Sequence, residues 1–81
     1  MDVEEMVRAG RATVRETRYA GVYEGGEWAC FPCPAGEVPG EAFGSDVVAS
    51  AWWAENGSRV GVGDTPEAAM GDLASRLTGG S

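Results

Sequence analysis

Apolar and polar positions follow two rhythms along this chain, and each predicts a different kind of element. Toward the C-terminus, Pro66, Ala69, Met70, Leu73 and Leu77 recur at steps of three and four, which places them on one stripe of an α-helix. Asp64 and Thr65 supply N-cap side chains, and Pro66 suits the first turn, where its missing N–H costs nothing. Glu67 adds negative charge at the positive end of the helix dipole. Asp72 and Arg76 are spaced to pair at i,i+4 on the solvent side, and Gly79 is placed to end the helix. At the other end, residues 2–9 (DVEEMVRA) read as a short helix with acids in its first turn. Val3, Met6 and Val7 lie along one side of it, and Gly10 marks its end.

Between these helices the rhythm is that of strands. Residues 12–23 (ATVRETRYAGVY) are rich in Thr, Val and Tyr. One long helix through residue 18 competes, because Arg8, Arg11, Arg15 and Arg18 also recur at helical steps. Gly10 and the β-branched Thr13, Val14 and Thr17 weigh against it. Glu24-Gly25-Gly26-Glu27 reads as a tight hairpin turn, with residues 27–31 (EWACF) as the returning strand. Pro32, Pro34 and Pro39 break residues 32–44 into a loop. Residues 46–54 (DVVASAWWA) run into Asn56-Gly57, a strong hairpin signal, and SRVGVG at 58–63 follows with Val60 and Val62 facing one way. A helix capped by Ser45 also fits 46–54, since Val47, Val48, Ala51 and Trp52 keep a helical period; the Asn-Gly pair favours the strand. The expected architecture is a single α+β domain over residues 1–78, with 79–81 as a flexible tail. It would have a short N-terminal helix, a four-stranded antiparallel sheet made of two hairpins, and a C-terminal helix packed on that sheet.

Length and charge narrow the uses of such a fold. A chain of 81 residues buries roughly 60% of its unfolded surface and makes one small core. No apolar run approaches the roughly 18 residues that span a bilayer. The opening MDVEEMV lacks the basic-then-apolar order of a secretory signal, so the expected location is cytoplasmic. Thirteen acids face six bases for a net charge of −7, and every base is Arg. Residues 1–18 balance Asp2, Glu4, Glu5 and Glu16 against Arg8, Arg11, Arg15 and Arg18, so residues 19–81 carry the whole imbalance. Such a surface repels phosphate backbones, argues against direct nucleic-acid binding and suits a basic partner. Acidity also serves solubility alone. With no His in the chain, Ser-His and Cys-His nucleophile pairs and His-based metal sites are excluded. The carboxylate pairs Glu24/Glu27 and Asp64/Glu67 sit at turns and caps, where solvation accounts for them. The expectation is a protein that is not an enzyme.

Cys30-Phe31-Pro32-Cys33 is the one motif with reactive potential. A C-x-x-C pair can cycle between dithiol and disulfide, or supply half of a zinc site. Pro34, Ala35 and Gly36 follow it instead of a helix that would stabilise a thiolate, and a zinc site would need ligands from a second subunit. The favoured reading is two small apolar residues at a strand end, with Cys30 and Cys33 weak metal candidates and no cofactor expected. Gly61-x-Gly63 followed by Asp64-Thr65-Pro66 is no phosphate cradle, because it lacks the Lys and puts a carboxylate where phosphate would sit. Neighbouring Trp52 and Trp53 would point to opposite faces of a strand, leaving one partly exposed to anchor a protein partner.

The segments GVYEGGEWACFPCPAG at 21–36 and GVGDTPEAAMGDL at 61–73 resemble the HicB-type antitoxin domain. That family shows a strand, an acidic-Gly hairpin, an aromatic-containing strand ending in a Pro/Gly loop, and a Gly-Asp-Thr helix start. Residues 37–60 intervene here where the family runs almost directly into Gly-Asp-Thr, and the N-terminal helix is additional. The strand–Gly-x-Gly–helix end is also similar to small phage-encoded αβ proteins such as anti-CRISPRs. It has the outline of a double-stranded-RNA-binding domain too, but carries Asp64, Pro66 and Glu67 where that family would place Lys. These resemblances imply a non-enzymatic acidic inhibitor of a basic nucleic-acid-handling protein or nucleoprotein complex, acting in the cytoplasm of a bacterial host and imitating nucleic acid. Its expected contacts are Glu55, Asp64, Glu67 and Asp72 with Trp52 or Trp53 as anchor. A thiol or zinc module on Cys30 and Cys33 and a structural phage subunit are the competing expectations, and a homodimer is compatible with the inhibitor reading.

Overall fold

The computed structural model describes residues 3–79, and the expected tail lies outside them except for Gly79, which belongs to the last helix. Three short strands, β1 (Thr13–Glu16), β2 (Trp28–Phe31) and β3 (Gly61–Gly63), form an antiparallel sheet in the order β1-β2-β3. Helices α1 (Val3–Arg8), α2 (Asp46–Asn56) and α3 (Pro66–Gly79) cover it. The register pairs Val14 with Cys30 and Cys30 with Gly61, and Ala29 with Val62.

Because side chains alternate along a strand, the central β2 feeds two separate cores. Cys30 packs with Val3, Ala12, Ala69 and Leu73, on the side of α1 and α3. Ala29 and Phe31 pack with Ala42, Ala49, Trp53 and Val60, on the side of α2 and the 3₁₀ turn Gly40–Phe43. Ala29, Cys30 and Phe31 are thus all buried, the continuous apolar run of a strand covered on both faces.

Gly61 and Gly63 explain how α3 comes so close. A methyl group at Gly61 would strike the carbonyl oxygen of Ala69 and the backbone nitrogen of Leu73; one at Gly63 would stand 2.6 Å from the Ala68 Cβ. Their period-two spacing puts both bare positions on the α3 side, against Ala68 and Ala69. Thr65 is the side chain that caps this helix, its hydroxyl accepting the Ala68 N–H at 3.0 Å. Asp72 pairs with Arg76 at 2.8 Å as the spacing implies, but it does not simply face solvent: its carboxylate also accepts the Val62 N–H at 2.9 Å, tying α3 to β3.

Two expected features are corrected. Residues 46–54 are helical, so the sheet has three strands instead of four and the second hairpin does not exist. Asn56 (φ −116°) and Gly57 (φ −57°) do not take the positive φ that a type I′ turn requires. The chain instead passes from α2 into a 3₁₀ turn at Gly57–Arg59, with the Asn56 amide bonded to the Trp52 carbonyl at 3.0 Å. Helical spacing prevails because it aims Ala49 and Trp53 together at Phe31, and Ser45 begins the helix through its carbonyl, which accepts the Ala49 N–H at 2.7 Å. The expected strand at 12–23 ends at Glu16, and residues 17–27 form a loop in place of a four-residue turn.

Replacing Gly61 by Ala should lower stability by about 1–3 kcal/mol or more through overpacking, read as a reduced urea midpoint. Gly36→Ala, where nothing lies within 4 Å of the added methyl, should leave that midpoint nearly unchanged. Equal midpoints for the two variants would contradict the described contact.

Candidate functional site

The loop between β1 and β2 is organised by Glu24. This residue is only 6% exposed, and its carboxylate accepts backbone N–H groups from Tyr19 and Gly21 at 3.1 Å and from Tyr23 at 3.3 Å. Gathering three donors from one short segment demands tight backbone turns. Gly21 and Gly25 supply them at φ 93°, and Ala20 accepts the left-handed region at φ 52°. Thr17 closes the base of the loop, its hydroxyl donating to the Gly26 and Glu27 carbonyls.

This loop is clamped to the turn that precedes α2. Arg18 donates to the Phe43 and Gly44 carbonyls at 2.7 and 3.1 Å, and the Tyr19 hydroxyl donates to Gly44 at 2.6 Å. Arg15 lies over the Phe43 ring, 4.4 Å from its centroid. Tyr23, edge-on to Tyr19 at 5.2 Å, thereby comes to stand beside α2.

The side of α2 turned away from the sheet is apolar. Val47 is 79% exposed and Val48 42%, and Ala51 and Ala54 are also exposed. Two open grooves flank this ridge. One, of about 400 Å³, is lined by Tyr23, Asp46, Val47, Ser50, Ala51 and Ala54. The other, of about 390 Å³, is lined by Glu41, Val47, Val48, Ala51, Trp52 and Glu55. Neither wall contains a basic residue.

The two tryptophans divide their roles, although on a helix instead of a strand. Trp53 is buried and its indole N–H donates to the Ala42 carbonyl at 3.0 Å. Trp52 is half-buried, 5.0 Å from the Trp53 ring and 6.2 Å from Phe31, and it keeps an edge in the second groove beside Glu55. Asp64 and Glu67 are exposed at the start of α3, a helix that covers the opposite face of the sheet from α2. The fold therefore does not gather the four expected carboxylates into one patch. Asp72 is spoken for by Val62 and Arg76. Burial alone would raise its carboxyl, but the Val62 N–H and the Arg76 guanidinium hold it below its ordinary range.

Cys30 and Cys33 belong to different cores: Cys30 packs beneath α1 and α3, whereas Cys33 packs against the Phe31 cluster. Both are free thiols. Burial pushes the Cys30 thiol up to about 11. Burial, with the negative charge of Glu37, also raises Cys33. Protonated thiols are poor nucleophiles and poor metal ligands. Among the described residues, no three His, Cys, Asp or Glu side chains are grouped to hold a metal.

Glu24 as an organiser, and the outward apolar side of α2, were not singled out by reading the sequence. The signal for the second was present: between Asp46 and Glu55 the only other polar residue is Ser50, so a helix there is apolar nearly all round. No described helix is long and apolar enough to cross a membrane. Compared with protein-family models, curated proteins and solved structures, the chain matches none.

The cysteine geometry sets a pH dependence. The unfolded thiol ionises near 9.0 and the folded Cys30 near 11, so the fold favours the neutral form. That contribution is complete below pH 9.0, then declines as pH rises through about 11. Unfolding midpoints should fall across this window, less steeply in Cys30→Ala. At about pH 8, iodoacetamide should label Cys33 while sparing Cys30 until the chain unfolds, a difference read by mass spectrometry. Equal labelling would contradict the assigned burial.

Proposed function

We propose that this protein is a non-enzymatic acidic inhibitor that binds a basic nucleic-acid-handling protein, alone or in a nucleoprotein complex. What supports the reading is the fate of the carboxylates. Of the nine acids between residues 19 and 81, Glu24 and Asp72 are spent inside the fold. Glu27, Glu37, Glu41, Asp46, Glu55, Asp64 and Glu67 are all exposed, and none is in an ion pair among the described residues. Of the two arginines in the same stretch, Arg76 is already paired. A surface of unpaired carboxylates steers a basic partner into encounter and competes with phosphate for the same guanidinium and ammonium groups. The resemblance of residues 21–36 and 61–73 to HicB-type antitoxins, and of the C-terminal strand–Gly-x-Gly–helix to small phage proteins such as anti-CRISPRs, points the same way.

The test is a pull-down from bacterial lysate at low and high salt, repeated with a triple Glu55→Arg, Asp64→Arg, Glu67→Arg variant. All three positions are exposed, so the fold should survive; Asp72 is left intact because it holds β3 to α3. A basic nucleic-acid-binding protein should be captured at low salt. It should be released near 1 M salt, where the screening length falls to about 3 Å, and lost with the variant. Capture by the variant equal to that by the parent chain would sink the proposal.

A further inference from the structure

We infer that the outward side of α2 is a docking surface for an amphipathic helix whose apolar stripe is bordered by Arg or Lys. The inference rests on the acidic-inhibitor reading for the sign of the partner's charge; the surface itself rests on geometry. A surface helix ordinarily turns polar side chains to water. Here α2 buries Ala49 and Trp53 and still presents Val47, Val48, Ala51 and Ala54 outward. Contiguous exposed apolar surface of this kind marks interaction sites.

Its shape suits a helix. Val47 and Ala51, one turn apart, line both grooves and form the ridge between them, and ridges packing into grooves are how helices meet. The eleven residues of α2 span about 16 Å at roughly 1.5 Å per residue, enough for about three turns of a partner. Both sides of the site are anchored: Tyr23 is held by the loop around Glu24, and Trp52 rests on Phe31 and Trp53.

Charge selects the occupant. Asp46 borders one groove, and Glu41 and Glu55 border the other, with no cation in either wall. The neighbouring Arg18 is engaged with the Phe43 and Gly44 carbonyls. A second copy of this chain would set these three carboxylates against themselves across an apolar contact, between two bodies of charge −7 each. A helix with basic edges pairs with all three while its stripe covers Val47 and Ala51.

The experiment titrates the whole isotopically labelled chain, by NMR, with a synthetic helical peptide bearing a Leu stripe and Arg along both edges. Two comparison peptides replace the Arg by Gln or the Leu by Ser. Chemical-shift changes should centre on Tyr23 and residues 46–55, and binding should weaken about tenfold or more with either comparison peptide and with Val47→Asp. Val47 is 79% exposed, so that variant should fold normally. Changes confined to Asp64 and Glu67 would overturn the docking surface while leaving the acidic-inhibitor reading standing. Equal binding of the Gln-edged peptide at α2 would overturn the basic occupant and count against that reading as well. Concentration-dependent shifts at Tyr23 and α2 without peptide would identify the occupant as a second copy and overturn the inference.

Discussion

The contact of α3 with β3 is the constraint on which the rest of the structure depends. β3 is three residues long, too short to hold its place through strand pairing alone, and two of the three are glycine. Gly61 and Gly63 contribute almost no side-chain burial. What they permit is close approach, so that the Ala68–Ala69 stretch and Leu73 lie directly on the strand backbone. Asp72 then accepts the Val62 N–H from the same helix. A strand weak by composition is therefore secured by a helix that also seals the Cys30 core. The Gly26 backbone lies against Gly63 as well, so the β1–β2 loop is supported from the same point.

Because β2 is buried on both faces, its two cores share one backbone. Movement of α3 away from β3 would open the Cys30 side and release the register that sets Ala29 opposite Val62. Below the other face, Phe31 meets Phe43, Trp52 and Trp53 at centroid distances of 5.8, 6.2 and 5.9 Å. That aromatic group fixes α2 from its inner side only. The position of its outer side is thus determined by contacts that leave Val47 and Ala51 free, which is how a rigid helix can present an apolar ridge without being disturbed by it.

How much of this was legible depended on whether local chemistry and tertiary demand agreed. For α3 they agree: the cap, the proline, the stripe and the Asp72–Arg76 spacing all favour a helix, and the structure has one at Pro66–Gly79. In residues 46–57 they compete. Asn56-Gly57 offers a turn, but a helix stacks Ala49 and Trp53 one turn apart where a strand would separate them by about 13 Å on the same face. Only the helix therefore packs both into the Phe31 cluster, and burial of Trp53 there outweighs the turn preference. The Glu24 loop was hidden for another reason. Glu24-Gly25-Gly26-Glu27 has the composition of a tight turn, and nothing local states that the first carboxylate folds inward to collect the Tyr19, Gly21 and Tyr23 N–H groups. At the candidate site, charge was readable as composition, whereas its division between the two faces of the sheet needed the fold.

The way the buried Glu24 and the half-buried Asp72 are satisfied bears on how the chain sustains its charge. A buried carboxylate needs compensation, most often from a cation. Glu24 receives it from three backbone N–H groups and no cation, and Asp72 shares its single Arg with the Val62 N–H. The nearby arginines are meanwhile directed to neutral partners: Arg15 to the face of Phe43, Arg18 to carbonyl oxygens. Internal order is thus obtained with few ion pairs, and the fold does not have to neutralise the acids that remain outside. From Glu27 onward, seven exposed carboxylates persist with little opposing charge. Self-repulsion among them is a cost, one that the α3–β3 contact and the two cores must offset. A basic partner would relieve that repulsion on binding, so the charge that strains the free protein would contribute to the affinity of its complex.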